Sequence, residues 1–564
     1  MRKMSMVTSR RGIRLLAMSM SMMAVAACAG DGAVTGSGEN GATMRPAGPA
    51  IPVGVYAKID YDSFYKYVGS PPNSDLYGVL YNNYIHLLQD PAVSGIWLGI
   101  HWSDFYRDTT NQQTLYFTPV NALAAAVSFV NSGNINPPRT FVLSVMPGTH
   151  SPQWLFNGLR TCTCQVDPCC GAVDWQNYRE FKGTGPSPVP TPWALNATDC
   201  QDASSPLSYP VEWANFLQSL NTALSPQPTS LVGIAIGGPT GPSTEMILPN
   251  GLSSNDVTDT ACANPLTPQH VWDELADGDA PDSGVGNTLM IHAWRDTFTT
   301  YQTNFPNIAK ILVPDNGEGM PLLDLNPLSV NARTLKDTMC LKSITGDPGN
   351  VSCKTTVQIM ADFLALQDSL GMQVSGMKAA SSNSNANSDS GTNIGLPGLK
   401  YLAQPPSGSQ WTPPAVGAEF DLSITDGTIA PCYANMQFMG CPPGQPNCSM
   451  TPEIAFYNVL TTFFAGMPGA PDFSPDATFG QVPLSYLTVG YQDILYSEVA
   501  SDICGGPMAL GQMSMASARY VLQLANYYLL TSNGKTATLP TMPSCTGTRP
   551  TCPSGESCNG AVCQ

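Results

Sequence analysis

LVGIAIGGPTGPSTEMILP occupies residues 231–249, and the fold turns on its opening run. In LVGIAIG, 231–237, every residue is apolar or glycine, so both faces of the segment are expected to be buried, as in a parallel strand covered by helices. The run then breaks into glycine and proline, and a lone acid, Glu245, follows. A carboxylate just beyond a buried strand sits where loops converge at one end of a sheet.

Similar runs lie on both sides. PVGVYAKI (52–59), VSGIWLGI (93–100) and TFVLSVM (140–146) precede it, and IAKILV (308–313), MQVSGMKAA (372–380), AVGAEFDL (415–422) and LSYLTVGY (484–491) follow. Between them the period changes to that of a helix. Tyr209, Trp213, Phe216 and Leu220 share one face, and Val357, Met360, Phe363 and Leu364 share another before Gly371 supplies a stop. Thr451 and Pro452 make an N-cap and first-turn pair for a helix over 452–466, and residues 517–530 close the series with a last helix. Strands alternating with helices in this way predict the α/β class and a (β/α)8 TIM barrel over residues 51–535, with long disulfide-stapled loop insertions and a short Cys-rich C-terminal tail over 536–564. A doubly wound open sheet is the alternative, but no G-x-G-x-x-G follows the first strand to favour it.

Composition narrows the functional classes. The chain has 564 residues, 43% of them hydrophobic, enough for a sizeable core, and only 12% charged. With 51 glycines and 50 prolines its loops must be long and numerous. A formal net charge of −17 argues against nucleic acid as a partner, because phosphate binding needs clustered Lys and Arg. Arg2, Lys3, Arg10, Arg11 and Arg14 precede an apolar stretch that ends in Val25-Ala26-Ala27-Cys28. This is the order of an export signal, and the stretch is short for a membrane span. Its end resembles the lipobox of bacterial lipoproteins, which implies a signal peptide over 1–27, lipidation at Cys28, membrane attachment through that anchor and a place in the bacterial cell envelope outside the cytoplasm. An ordinary cleaved signal and a twin-arginine signal at Arg10-Arg11 are the alternatives. Residues 28–50 read as a flexible tether.

Seventeen cysteines mark the compartment again, since removing Cys28 leaves an even number for pairing in an exported chain. Cys162, Cys164, Cys169 and Cys170 crowd one loop within 148–207, and Cys432, Cys441 and Cys448 lie in another over 423–450. Both loops follow odd-numbered strands on the face where barrel active sites lie. Paired C-x-x-C spacing is absent, which favours disulfide staples over zinc. The tail carries Cys545, Cys552, Cys558 and Cys563 and is too small for a core of its own. No H-E-x-x-H, G-x-S-x-G or calcium-loop spacing occurs, and neither a cofactor nor a metal is expected.

Chemistry in such a barrel sits at the C-terminal ends of strands. Glu245 follows the fourth strand and Glu419 lies near the end of the seventh, on opposite sides of the ring. Two facing carboxylates are what glycosidic cleavage needs, one to protonate the leaving oxygen and one to attack or to activate water. DPAVSGIWLGIHWSDF (90–105), GTHSPQWL (148–155), PTPW (190–193) with Trp213 and Phe216, IGGPTGPSTEMILP (236–249) and GAEF (417–420) together resemble barrel segments of glycoside hydrolase clan A. That resemblance implies Glu245 as acid/base and Glu419 as nucleophile. Thr244 stands where the clan has Asn before the acid/base. Glu318, after the fifth strand, is the rival nucleophile, or a turn acid in a Gly-rich loop.

Each acid also has a purely structural alternative, Glu245 as a loop-ordering carboxylate and Glu419 as an interior acid paired with a cation. Sugars present C–H faces that pack on flat rings, which makes Trp102, Trp154, Trp193 and Trp411 candidate substrate-binding residues, each with core burial as its alternative. His101, His150 and Asp315, with Asp60 and Asp104, are candidates for hydroxyl contacts. Two functional readings follow: a glycoside hydrolase-like protein working by a retaining two-carboxylate mechanism on a carbohydrate substrate, and a non-catalytic carbohydrate-binding or structural surface lipoprotein on the same scaffold.

Overall fold

The computed structural model describes residues 50–68, 75–108, 110–112, 114–162, 170–175, 187–190, 207–238, 285–313, 376–379, 415–420, 484–498, 515–541, 558–559 and 562–563. Eight parallel strands form a closed barrel. They are β1 (Gly54–Asp60), β2 (Gly95–His101), β3 (Thr140–Met146), β4 (Leu231–Ala235), β5 (Ala309–Leu312), β6 (Gly376–Ala379), β7 (Ala415–Phe420) and β8 (Leu484–Gly490). Each pairs with its neighbours in sequence, and β8 closes the ring on β1 through Gly54 to Tyr486 and Lys58 to Gly490. All eight lie within or against the apolar runs, because a strand buried on both faces needs an unbroken apolar stretch.

Helices α1 (Tyr61–Val68), α2 (Leu76–Gln89), α3 (Thr118–Ser132), α4 (Gln153–Gly158), α5 (Tyr209–Ala223), α6 (Val285–Asn304), α7 (Tyr491–Glu498) and α8 (Met515–Ser532) belong to the connecting segments. The face predicted for 209–220 is the one that α5 buries, through Tyr209, Trp213, Phe216 and Leu220. The helix predicted over 517–530 lies inside α8, whereas those predicted around 357–364 and 452–466 fall outside the described residues. Among the described residues no helix is long and apolar enough to cross a membrane.

Strand side chains alternate between two separate cores. Val55, Ala57, Ile59, Ile96, Leu98 and Leu143 pack outward against α2, α3 and the other helices in one cluster. The alternate positions Tyr56, Trp97, Val142, Ile311 and Tyr486 form a second cluster and fill the barrel axis. Tyr486 lies flat against Trp97, ring centroids 6.0 Å apart, and edge-on to Tyr56 at 6.2 Å. β7 offers Gly417 opposite Tyr486 in register, and a Cβ there would fall inside the Tyr486 ring. The Tyr486 ring is therefore matched by glycine on the neighbouring strand.

In the connection after β3, Thr161–Cys162 and Ser187–Pro190 flank Ala172–Trp175 in a three-stranded sheet, and a disulfide joins Cys162 to Cys170. That bridge lies in the Cys-rich loop expected to be stapled. In the tail, Cys558–Asn559 pairs antiparallel with Val562–Cys563. Residues 1–49, with Cys28, and the cysteines of 423–450 lie outside the described residues.

Candidate active site

Period-two alternation carries the interior face upward from the aromatic floor. Two residues beyond Tyr56, Gly417 and Tyr486 stand Lys58, Glu419 and Thr488. Glu419 is 4% exposed and forms an ion pair with Lys58 through its Oε1. The Thr488 hydroxyl points at Glu419 Oε2 and at the Ala418 carbonyl, 3.5 and 3.4 Å away. Beneath them Tyr486 keeps its proton, its pKa raised well above the ordinary tyrosine value by burial, then by Tyr56 and the Glu419 charge. A buried carboxylate beside an ammonium is favoured as the anion, since the nearby cation offsets the lost hydration.

The rim over β1 to β3 holds a second polar group. His101 ends β2 and stacks face to face on His150, ring centroids 3.6 Å apart and planes 4° from parallel. Burial, then the neighbouring His101, pushes the His150 pKa down to about 3, so its ring is neutral at pH 7 with one donor and one acceptor nitrogen. Asp104 sits in the 3-10 turn Trp102–Phe105 and accepts the His101 amide at 3.2 Å. Its carboxyl is pushed above the usual range by burial, opposed by His101. Burial, with Asp104 next, raises Tyr61 to about 12. The neutral His150 ring and the protonated Tyr61 hydroxyl are equipped to exchange hydrogen bonds with a neutral, hydroxyl-rich ligand. No group of three metal-ligating side chains occurs among the described residues.

Two of the expected aromatic platforms are corrected. Trp102 is fully buried, packed edge-on to Trp154 at 6.0 Å and Trp213 at 5.1 Å and tilted against Phe216 at 5.6 Å. Trp154 is 7% exposed in the same cluster and also meets Tyr106. Both rings fill the layer between the barrel and α5, and neither offers a face to a sugar. The position just after a strand brought them near the mouth, but the short 3-10 turn and α4 fold them back into the helical layer. Glu245, Asp315, Glu318, Trp193 and Trp411 lie outside the described residues.

The route toward Glu245 is nevertheless anchored at its start. Trp213 Nε1 donates to the Gly237 carbonyl at 3.0 Å, Tyr209 donates to Gly238 at 3.1 Å, and the Gly237 amide donates to the Tyr301 hydroxyl at 3.0 Å. A Cβ at Gly237 would lie 2.6 Å from the Val145 carbonyl and 2.8 Å from Pro147, so glycine lets the end of β4 press against β3. Lys58, Tyr61 and Thr488 stand at the candidate site and were not singled out from the sequence. Lys58 had a readable signal, a cation inside an apolar run, on the same face as Tyr56.

No family model matches the chain, and no curated protein matches it. Among solved structures it is similar to native xylanase10C from Cellvibrio japonicus, at 10% identity and a TM-score of 0.38, over 87% of this chain and 73% of that one. A thermostable mutant of a xylanase from the same organism aligns at 9% identity and a TM-score of 0.37, over 84% and 97%. A monomeric beta-xylosidase from Caulobacter crescentus CB15 gives 8% and 0.35, over 84% and 69%. These values are too low to carry a substrate or a residue role from those enzymes to this chain. The barrel stands on its own strand order.

Proposed function

We propose that the chain is an exported glycoside hydrolase, lipid-anchored at Cys28, that cleaves glycosidic bonds by a retaining two-carboxylate mechanism. The observation that supports it best is the placement of Glu419, buried near the C-terminal end of β7, on the interior face, and ion-paired with Lys58. In this reading Glu245 donates a proton to the leaving oxygen while Glu419 attacks the anomeric carbon, and Glu245 then deprotonates the water that releases the glycosyl ester. The route requires carboxyl groups about 5 to 5.5 Å apart. The purified full chain, incubated with a panel of aryl glycosides and oligosaccharides, is expected to turn over at least one of them, and Glu245→Gln and Glu419→Gln to lose that activity. Glu419→Ala with added azide is expected to recover product as the glycosyl azide. Detergent partitioning of wild type and Cys28→Ser tests the anchor.

The same ion pair favours a second reading, a carbohydrate-binding or structural surface lipoprotein without catalysis, because Lys58 gives Glu419 a purely structural partner. Thr244 in place of the clan's Asn points the same way. Binding without turnover, unchanged by either glutamine substitution, would establish that reading and refute the first.

A further inference from the structure

Lys58 and Glu419 are not on neighbouring strands. β8 lies between β1 and β7, and it presents Gly490 opposite Lys58 and Thr488 opposite Glu419. The ammonium therefore reaches its partner across β8 at the level of a residue that has no side chain. Exposure is unequal: the Lys58 side chain is 38% exposed and that of Glu419 only 5%. The carboxylate is almost fully buried, and the lysine approaches it from the more exposed side of the pair.

We infer that Lys58 is a positioning residue whose main effect falls on the second half of the retaining cycle, the release of the glycosyl group from Glu419. The inference rests on the retaining reading above. In the first step Glu419 forms a C–O bond to the anomeric carbon and becomes a neutral ester, so the ammonium loses the charge it faces; Lys58 does not assist that step. In the second step the oxygen of water bonds to the anomeric carbon, the ester C–O bond breaks, its electron pair returns to Glu419 as carboxylate, and the proton of water passes to Glu245. Negative charge then develops on a buried carboxylate beside the Lys58 ammonium, which stabilises it. Without Lys58 the ester forms and lingers.

The test uses the full chain as wild type, Lys58→Met, Lys58→Gln and Lys58→Arg, each at its own pH optimum, with dinitrophenyl glycosides of several sugars. Lys58→Gln keeps a polar but uncharged end group, so a methionine variant that fails to fold leaves a second neutral variant to decide. The neutral variants are expected to lose about 10-fold or more in kcat with a parallel fall in KM and little change in kcat/KM, to show a stoichiometric burst, and to carry a glycosyl mass adduct on Glu419 at steady state. Lys58→Arg is expected to return kcat to within about 3-fold of wild type, because it restores the charge. A fall in kcat with KM unchanged and no adduct overturns the inference, as does an arginine variant no faster than the methionine one. Wild type that turns over normally, with neutral variants of equal kcat, refutes this role alone. Wild type that neither turns over nor labels with any sugar refutes the glycosidase reading, and this role with it.

Discussion

Arg519 in the last helix grips Asp90, in the turn before β2, with both arms of its guanidinium, Nη1 to Oδ2 and Nη2 to Oδ1, each at 2.7 Å. The Asp90 side chain is fully buried, and its Oδ1 also accepts the Ala92 amide at 2.8 Å. Arg139, from the start of the β3 segment, donates to the carbonyls of Leu88 and Asp90 at 2.8 and 3.1 Å. One turn thus ties three consecutive parts of the barrel to its final helix.

Removing Arg519 leaves a fully buried carboxylate without its guanidinium. Arg519→Met is expected to destabilise the protein by about 3 kcal/mol, and Asp90→Ala by a comparable amount, since it loses the Ala92 amide contact as well as the bidentate pair. Urea unfolding monitored by tryptophan fluorescence measures both. A loss below about 0.5 kcal/mol for Arg519→Met would place this pair among weak surface contacts.

Trp102 is a packing residue, so its removal should be felt in stability. Trp102→Ala is expected to cost about 3–5 kcal/mol and Trp102→Phe considerably less, because the smaller ring still fills part of the space between Trp154, Trp213 and Phe216. Thermal unfolding distinguishes this from a ring that serves only a ligand, whose loss would leave the melting temperature unchanged and weaken binding instead.

Gly417→Ala drives a methyl group into the Tyr486 ring, which already packs against Trp97 and Tyr56. The expected cost is about 1–3 kcal/mol or more. Tyr486→Leu should relieve much of it in the double variant. A double-mutant cycle by chemical unfolding reads the coupling, and additive costs would contradict the close approach.

The depressed His150 has a pH signature. Its folded-state pKa of about 3 lies below the ordinary histidine value of 6.5, so between those values the unfolded chain binds the proton that the folded one refuses. Its contribution is present in full above pH 6.5 and is lost as pH falls toward 3. Asp104, shifted upward, works in the opposite sense over its own range. The clean observable is therefore the difference between wild type and His150→Phe. Melting temperatures of wild type should fall more steeply than those of the variant between pH 6.5 and 4, corresponding to about 2 kcal/mol. Parallel curves would refute the assignment.

The strands were legible because a segment buried on both faces must be apolar throughout, and VGVYAKI, GIWLGI and FVLSVM admit few other readings. Alternation within them was equally informative: Lys58 follows Tyr56, and Glu419 follows Gly417, on the face that turns inward. Their meeting was not legible. It depends on ring closure bringing β1 within one strand of β7, a relation that no local window contains. Trp102 and Trp154 misled for a related reason, since proximity to a strand end does not state which way a short turn carries the ring. The partners of Glu245 depend on the path of a Gly/Pro-rich connection that has no period to read.

Asn526 in α8 accepts the Val55 amide at 2.8 Å and the Ser94 hydroxyl at 2.6 Å, and donates to the Pro91 carbonyl at 3.1 Å. Gly54, at φ +100°, leaves just enough space for that amide group. The ribosome must therefore finish nearly the whole polypeptide before the first stave can latch. A product stopped short of residue 526 lacks this latch and the helix that packs on β1 and β8, and is expected to be degraded or to aggregate.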